Sequence, residues 1–498
     1  MDALAVEELL RLVFQYCDRR DNFSNALVSK TWSREALSAL WKHLNSMDPL
    51  LSLLAPLVKE REDVTYAFER PLWSHDWTVF LKYSWRVHSI SFPLAGTKLY
   101  SHSVFTEIAL NKPQGDLIPN LRNLVCQPYS LRDFIPLLLN RRLVDLTIAG
   151  ITGTSLPKAK SLLSYLPVRC PMLSRLDLWI TQYEYKEIGL DKLLTPLSRL
   201  TELEIAPAVL TPRVMHTLAC LPRLQHIRST HRWPVRSQNQ LSRPPVDTSE
   251  RFTSLRLLEI STDNVPPFLE TYKLNNLRKL VLEPDTRQTR EHHFRFFEII
   301  SSCCPQIETL RLKHCRNGSE YEKIPLATWE SFAPLRHLTR LTDLSLIDLP
   351  MTTSALFYLA ENLPSLTHLA LRRSSTIDGT PAFPITVLPQ LAVIRPQLVY
   401  LCLCLNTSLP ASAPTFEYNE RFRCLAELNV GPVGLHSPAP EVATYLSGIL
   451  PAGCRLSRIL DGWSDDGEER WDSWEPVINT LPALMVNQMT SREAGSAS

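Results

Sequence analysis

Histidine and cysteine are the side chains that most readily move protons, attack carbonyls or hold metals near neutral pH, so their placement is the first test for chemistry. His292-His293 has no acidic or cysteine residue at ligand spacing and reads as a surface pair at a helix start. Among 11 cysteines, Cys303-Cys304 and Cys402-Leu403-Cys404 are the only close pairs, and no C-x-x-C occurs. An odd, scattered set of thiols suits neither a metal site nor a disulfide framework, and reads as buried free cysteines. G-x-S-x-G, H-E-x-x-H, G-x-x-x-x-G-K and G-x-G-x-x-G are all absent. The expectation is a non-enzyme with no catalytic residue, no cofactor and no metal.

What remains is the framework. The chain has 498 residues, of which 84 are Leu, 38 Pro and only 14 Gly. Glycine at under half its usual ~7% share disfavours folds built on phosphate-cradling loops. A 44% apolar chain buries large cores and is not broadly disordered. With 53 basic against 51 acidic residues it has no general attraction to polyanions or membrane surfaces, so neither a nucleic acid nor a membrane is expected as partner. Acidic Asp2, Glu7 and Glu8 stand where a signal peptide needs basic residues, and runs such as 51–58 are far shorter than the ~20 residues that span a bilayer. A soluble protein of the cytoplasm, the nucleus or both is expected.

One phrase recurs from about residue 86: a turn, then Leu-x-x-Leu-x-Leu. Clear copies are Leu143-Val-Asp-Leu146-Thr-Ile148, Leu173-Ser-Arg-Leu176-Asp-Leu178 and Leu200-Thr-Glu-Leu203-Glu-Ile205. Later ones include Leu255 to Ile260, Leu277 to Leu282, Ile307 to Leu312, Leu341 to Leu346, Leu366 to Leu371, Leu398 to Leu403 and Leu425 to Val430. Counting the weaker copy ending at Ile227, the phrases after Ile148 end 22 to 34 residues apart, the drifting period of leucine-rich repeats. Alternation within the phrase predicts a short strand with Leu pointing inward. Helical stretches are expected between strands at 158–166, 211–221, 292–302, 355–363 and 441–450. The fold class expected is α/β: a small three-helix unit, then an irregular leucine-rich-repeat solenoid, a horseshoe of about a dozen repeats.

At the N-terminus, Val6, Leu9, Leu10, Val13, Phe14 and Cys17 form one apolar stripe of a helix. The cluster 18–22 should end it, with a second short helix from near Ser24 and a third, capped by Ser33, carrying Leu37, Leu40, Trp41 and Leu44. Trp41 and Leu44 read as core. The blocks Glu8-Leu-Leu-Arg-Leu-Val-Phe14, Ala26-Leu-Val-Ser-Lys-Thr-Trp32 and Ala36-Leu-Ser-Ala-Leu-Trp41 resemble an F-box, with Glu7 where that family usually has proline and Ser29 where many members have cysteine. With the degenerate repeats, the whole chain resembles the F-box proteins abundant in mushroom-forming fungi. The resemblance implies docking on the Skp-type adaptor, and through it a cullin, of a Skp–cullin–F-box ubiquitin ligase. Leu9, Leu10, Val13 and Phe14 would then supply the apolar ridge, with Leu27, Val28 and Trp32 from the second block.

The expected domains are 1–50 (F-box), 51–85 (helical linker), 86–455 (repeats) and 456–498 (an acidic, Trp-containing cap whose last residues, from about 490, fray). In a repeat array the side chains flanking the inward leucines make the default binding surface. Here they are Asp177, Trp179, Glu202, Glu204 and Glu259, then Arg311, Lys313 and Arg372, running from acidic to basic. An Arg-rich, acid-free stretch at 229–246 reads as part of an inserted surface loop, 229–250. The function expected is substrate recognition for a ubiquitin ligase, with an unknown protein as target. The alternative is a leucine-rich scaffold that directs no ubiquitylation.

Overall fold

In the computed structural model the described residues are 7–60, 65–92, 99–126, 135–151, 156–180, 189–206, 209–229, 252–260, 265–272, 274–283, 290–313, 326–372, 383–410, 416, 420–430, 434–457 and 474–496. The chain divides into two units, Met1–Gln238 and Asn239–Ser498.

The leucine phrases become strands, and His43–Leu44 and Arg455–Ser457, which no phrase predicts, each add one more. In the first unit these are β1 (His43–Leu44), β2 (Ser89–Ser91), β3 (Asn123–Cys126), β4 (Asp145–Ile151), β5 (Arg175–Ile180), β6 (Glu202–Ile205) and β7 (His226–Arg228). They pair in parallel and in chain order, so that Leu44, Ile90, Leu124, Leu146, Leu176, Leu203 and Ile227 stand in one registered row. Every member of that row is at most 3% exposed. The second unit repeats the pattern with β8 (Leu257–Ile260), β9 (Lys279–Leu282), β10 (Thr309–Lys313), β11 (Asp343–Ile347), β12 (His368–Arg372), β13 (Tyr400–Leu403), β14 (Glu427–Asn429) and β15 (Arg455–Ser457). Its row runs Leu258, Leu280, Leu310, Leu344, Leu369, Leu401, Leu428, Leu456. Each unit is therefore a leucine-rich-repeat stack.

A backbone clasp sets the register. The carbonyl just ahead of a strand accepts two N–H groups from the next repeat: Arg122 O takes Val144 N at 2.8 Å and Asp145 N at 3.0 Å, and Val144 O takes Ser174 N and Arg175 N at 2.9 and 3.0 Å. In the second unit, Arg278 O and Glu308 O do the same for their neighbours. The clasp consists of peptide groups alone, so it tolerates the drift in side chains and spacing. Asparagines help at some turns: buried Asn140 donates to Ile118 O and Leu121 O and its Oδ1 accepts from Arg142 N at 2.7 Å, and Asn276 donates to Thr253 O at 2.7 Å.

Helices cover the leucine side. All five expected stretches are helical, as Leu156–Arg169, Pro212–Ala219, Arg290–Cys303, Thr353–Asn362 and Ala439–Ile449. Thr211 and Thr352 cap two of them through the N–H groups of Val214 and Ala355. The helix Glu475–Ser496 packs on Ala439–Ile449, and Val477, Leu481 and, at its start, Trp474 are buried. This corrects the expected frayed end: the backbone is helical to Ser496. Trp463, Trp471 and the Arg-rich loop lie outside the described residues, apart from buried Ser229.

The N-terminal region also departs from expectation. Its helices are α1 (Glu7–Tyr16), α2 (Arg19–Asn25) and α3 (Lys30–Lys42). Asp18 and Ser29 are the caps, accepting from Asp21 N at 2.7 Å and Trp32 N at 3.2 Å, so α2 starts five residues before Ser24 and α3 before Ser33. Asp18 was read as closing α1, but an aspartate between two helices caps the one that follows, where its charge suits the dipole. Nor is 51–85 a helical linker. Leu57–Lys59 pairs antiparallel with Thr65–Phe68, which pairs with Leu99–Tyr100. Helix α4 (Asp76–Ser84) lies between the second and third of these strands. Arg70 clips this segment together, each of its terminal nitrogens 2.8 Å from one oxygen of Asp76.

Two measurements test this packing. Leu344→Ala empties a site in the middle of the second unit's row and should cost about 2–5 kcal/mol in urea unfolding. The Arg70 hydrogen bonds hold the Asp76 carboxyl down at about 2, below its ordinary 3.8. Ionised Asp76 is thus favoured in the folded chain, a contribution fully present above the unfolded value and lost as pH falls through the folded one. The melting advantage of wild type over Asp76→Asn should hold above about pH 4 and shrink toward pH 2. An advantage independent of pH would show that the clip carries no charge.

Candidate functional site

The three helices share a small core. Leu10 and Phe14, one turn apart on α1, are each 2% exposed and meet Ala36 of α3. Trp32 closes the side edge-on, its ring centroid 5.3 Å from that of Phe14. Glu35 of α3 is buried between Arg11 Nε at 2.9 Å and Arg34 Nε at 3.3 Å. Burial pushes its carboxyl up, but the hydrogen bonds from Arg11 and Arg34 win and hold it below its usual range. Asn22 ties α2 in by donating to Phe14 O and Cys17 O at the end of α1.

So small a core cannot take every apolar side chain in the segment. Leu9, Leu12, Val13 and Tyr16 of α1, Phe23 of α2, and Leu27 and Val28 in the following turn stay exposed, Tyr16 at 92% and Leu27 at 76%. The seven residues read from sequence as a docking ridge therefore divide. Leu9, Val13, Leu27 and Val28 face outward; Leu10 and Phe14 belong to the core; Trp32 is half-buried against Phe14. The reason is the ~100° step between successive helical residues: the face that meets α3 takes Leu10 and Phe14 and turns Leu9 and Val13 aside. Leu12, Tyr16 and Phe23 were missed, although their signal was present as large apolar residues off the buried stripe.

The open sheet faces carry the other predicted residues. In the first unit, Asp145, Arg175, Glu202 and His226 are in-register neighbours. Arg175 Nε lies 3.9 Å from both carboxylates, and His226 Nδ1 lies 3.3 Å from Glu202 Oε1. Burial raises the pKa of Asp145 against the pull of Arg175. In the next row Asp177, 5% exposed, neighbours Glu204, which in turn neighbours Arg228. Trp179 is half-buried two residues further along β5.

On the second unit's face are Glu259, Arg311, Lys313 and Arg372. Arg311 reaches Asp343 Oδ2 at 3.0 Å and Lys313 reaches Glu283 at 3.7 Å. Arg372 donates to the hydroxyl of Tyr400 at 3.3 Å, and Tyr400 stacks on His368 with centroids 6.2 Å apart. The predicted run from acidic to basic is thus broken up locally: opposite charges interleave on the first face and pair on the second. Parallel pairing puts residues of successive repeats, far apart along the chain, side by side, which a count along the chain cannot register.

Burial pushes the thiols of Cys170, Cys402 and Cys454 up to about 12, so they stay protonated at neutral pH. Among the described residues no group of His, Cys, Asp and Glu is placed to hold a metal, and no helix is long and apolar enough to cross a membrane. His293, read as a surface residue, is 2% exposed within its helix, and the side chain of His292 lies outside the described set.

No protein-family model matches the chain, and no curated protein matches it in sequence. Among solved structures it is similar to an internalin of Listeria monocytogenes at 12% identity, over 78% of this chain and 83% of that one, with a TM-score of 0.32. Internalin C2 of the same organism gives 14% identity over 52% and 73%, with a TM-score of 0.23. Neither superposition is close enough to argue from, and the repeat assignment rests on strand register.

The division of the ridge is open to measurement. Phe14→Ala should cost about 3–5 kcal/mol of the module's stability by the cavity it leaves, while Leu27→Ser should stay within about 0.5 kcal/mol. Hydrogen exchange at the backbone amides of α1 and α3 in the full-length chain reads both.

Proposed function

We propose that this chain is a non-catalytic recognition subunit: an F-box-like module docks on a Skp-type adaptor of a cullin-based ubiquitin ligase, and the repeat faces hold a target protein. The observation that carries the docking half is the cluster of seven large apolar side chains exposed within 20 residues, Leu9 to Val28. Clustered exposed apolar groups mark association surfaces, and a partner helix laid on α1 and the turn after α2 is the cover that fits their spacing. The three-block resemblance to an F-box selects the adaptor as that partner. For the repeat half, support comes from the two open faces, where half-exposed charges and the aromatic rings of Trp179, His368 and Tyr400 offer polar and stacking contacts over several strands. Chemistry would be left to the enzymes that the adaptor recruits, with this chain supplying proximity.

The test must leave the fold alone. Deleting the module would strip β1 from the sheet, so surface substitutions are the cleaner tool. Leu9→Ser with Leu27→Ser should leave the melting curve in place and weaken capture of a purified Skp-type adaptor more than about tenfold, the loss expected when central apolar anchors are removed. Capture unchanged by both substitutions would move the docking surface elsewhere. Failure of the unsubstituted chain to capture the adaptor would leave the scaffold reading in its place.

A further inference from the structure

We infer that Arg86 is a positioning residue: it locks the three-helix module onto the first unit's sheet, so that whatever docks on α1 and the turn after α2 is held in one orientation to the open face. This rests on the docking reading for its functional meaning, though the lock itself needs no partner.

Arg86 lies just beyond α4 and is 8% exposed. Its Nη1 donates to Arg34 O in the middle of α3 at 2.9 Å and also to the hydroxyl of Ser38 one turn on. Its guanidinium lies over the ring of Trp85, 4.6 Å from the centroid. Burial lowers the pKa of the group, yet a guanidinium stays charged at any ordinary pH. No carboxylate lies within ion-pair distance of it among the described residues. If adhesion between α3 and α4 were all that was needed, an apolar side chain would serve better, because burying a charge is costly. What the guanidinium adds is direction. Apolar surfaces slide over each other at little cost, whereas one guanidinium nitrogen that donates to both a carbonyl and a hydroxyl is satisfied in a single register.

The backbone around Arg86 points the same way. Two residues on, His88 N donates to Lys42 O at the end of α3 at 2.9 Å, while His88 O accepts Arg122 N and Asn123 N from the next repeat. His88 Nδ1 lies 2.8 Å from Arg86 O. Residues 86–88 thus grip the module with a side chain and a backbone N–H, and grip the stack with a backbone carbonyl. Trp41 of α3 against Tyr83 of α4, centroids 4.7 Å apart, closes the joint. Immediately after Lys42 the chain enters β1, so no free linker separates module from sheet.

Spin labels at Arg20→Cys and Arg141→Cys, both exposed positions, report the geometry across this joint in the full-length chain once other accessible thiols are replaced by serine. The expected result is one narrow distance distribution, about twofold broader in Arg86→Met, which keeps the aliphatic stem but loses the guanidinium. Arg86→Lys, retaining a charged donor, should recover part of the narrowness. Should Arg86→Met fail to fold, Ser38→Ala removes one acceptor and should broaden the distribution by less. A broad distribution in the unsubstituted chain, or one that neither Arg86→Met nor Ser38→Ala alters, overturns the inference. Adaptor capture is read separately, so loss of the docking reading and loss of the lock are distinguishable outcomes.

Discussion

The rest of the structure hangs on one repeated interaction: a carbonyl ahead of a strand accepting two N–H groups from the repeat that follows, as at Arg122, Val144 and Arg278. This bond pair holds neighbouring strands in a single register at the usual spacing of about 4.8 Å. A slip by one residue would turn every leucine from the helices to solvent, so each clasp is reinforced by the burial of the leucine beside it. Backbone and side chain thus agree at every step, which lets the repeats vary in length and in nearly every other residue. The near absence of consensus asparagines follows naturally, because the peptide groups do the clasping and residues such as Asn140 and Asn276 only supplement them.

The same constraint explains the N-terminal module. Three helices of this length bury too little to stand comfortably alone. Here β1 adds them to the first unit's sheet, and Arg86 pins α3 from outside. With its inner faces committed to Leu10, Phe14 and Ala36 and to the joint with α4, the module has an outward side that can stay apolar. Exposed Leu27 and Tyr16 are tolerable on that side because the fold does not depend on them.

Legibility differed by kind of signal. The strands and covering helices were readable because leucine spacing states their period directly, and residues such as Leu176, Leu280 and Leu344 are buried where the phrase put them. Helix starts were less readable: Ser33 is the cap expected from sequence, but Ser29 fills the role by accepting from the N–H of Trp32. The 51–85 segment hides its strands, because those at Leu57 and Thr65 pair locally and have too few residues each to show alternation. The candidate site was half readable. The segment that carries it was found, yet Leu9 and Leu10 are equally apolar on paper, and which is core depends on where α3 lies.

What the sequence determined by itself is whatever repeats or alternates: stacked strands, inward leucines, a three-helix start and an absence of common catalytic phrases. These follow from local geometry, since period and side-chain direction are properties of a single strand or helix. Tertiary structure alone decided which neighbours share a face. Arg175 between Asp145 and Glu202, Arg372 on Tyr400, and Arg86 on Arg34 O join residues 27 to 52 positions apart. Such contacts arise from packing between elements, which no window along the chain contains.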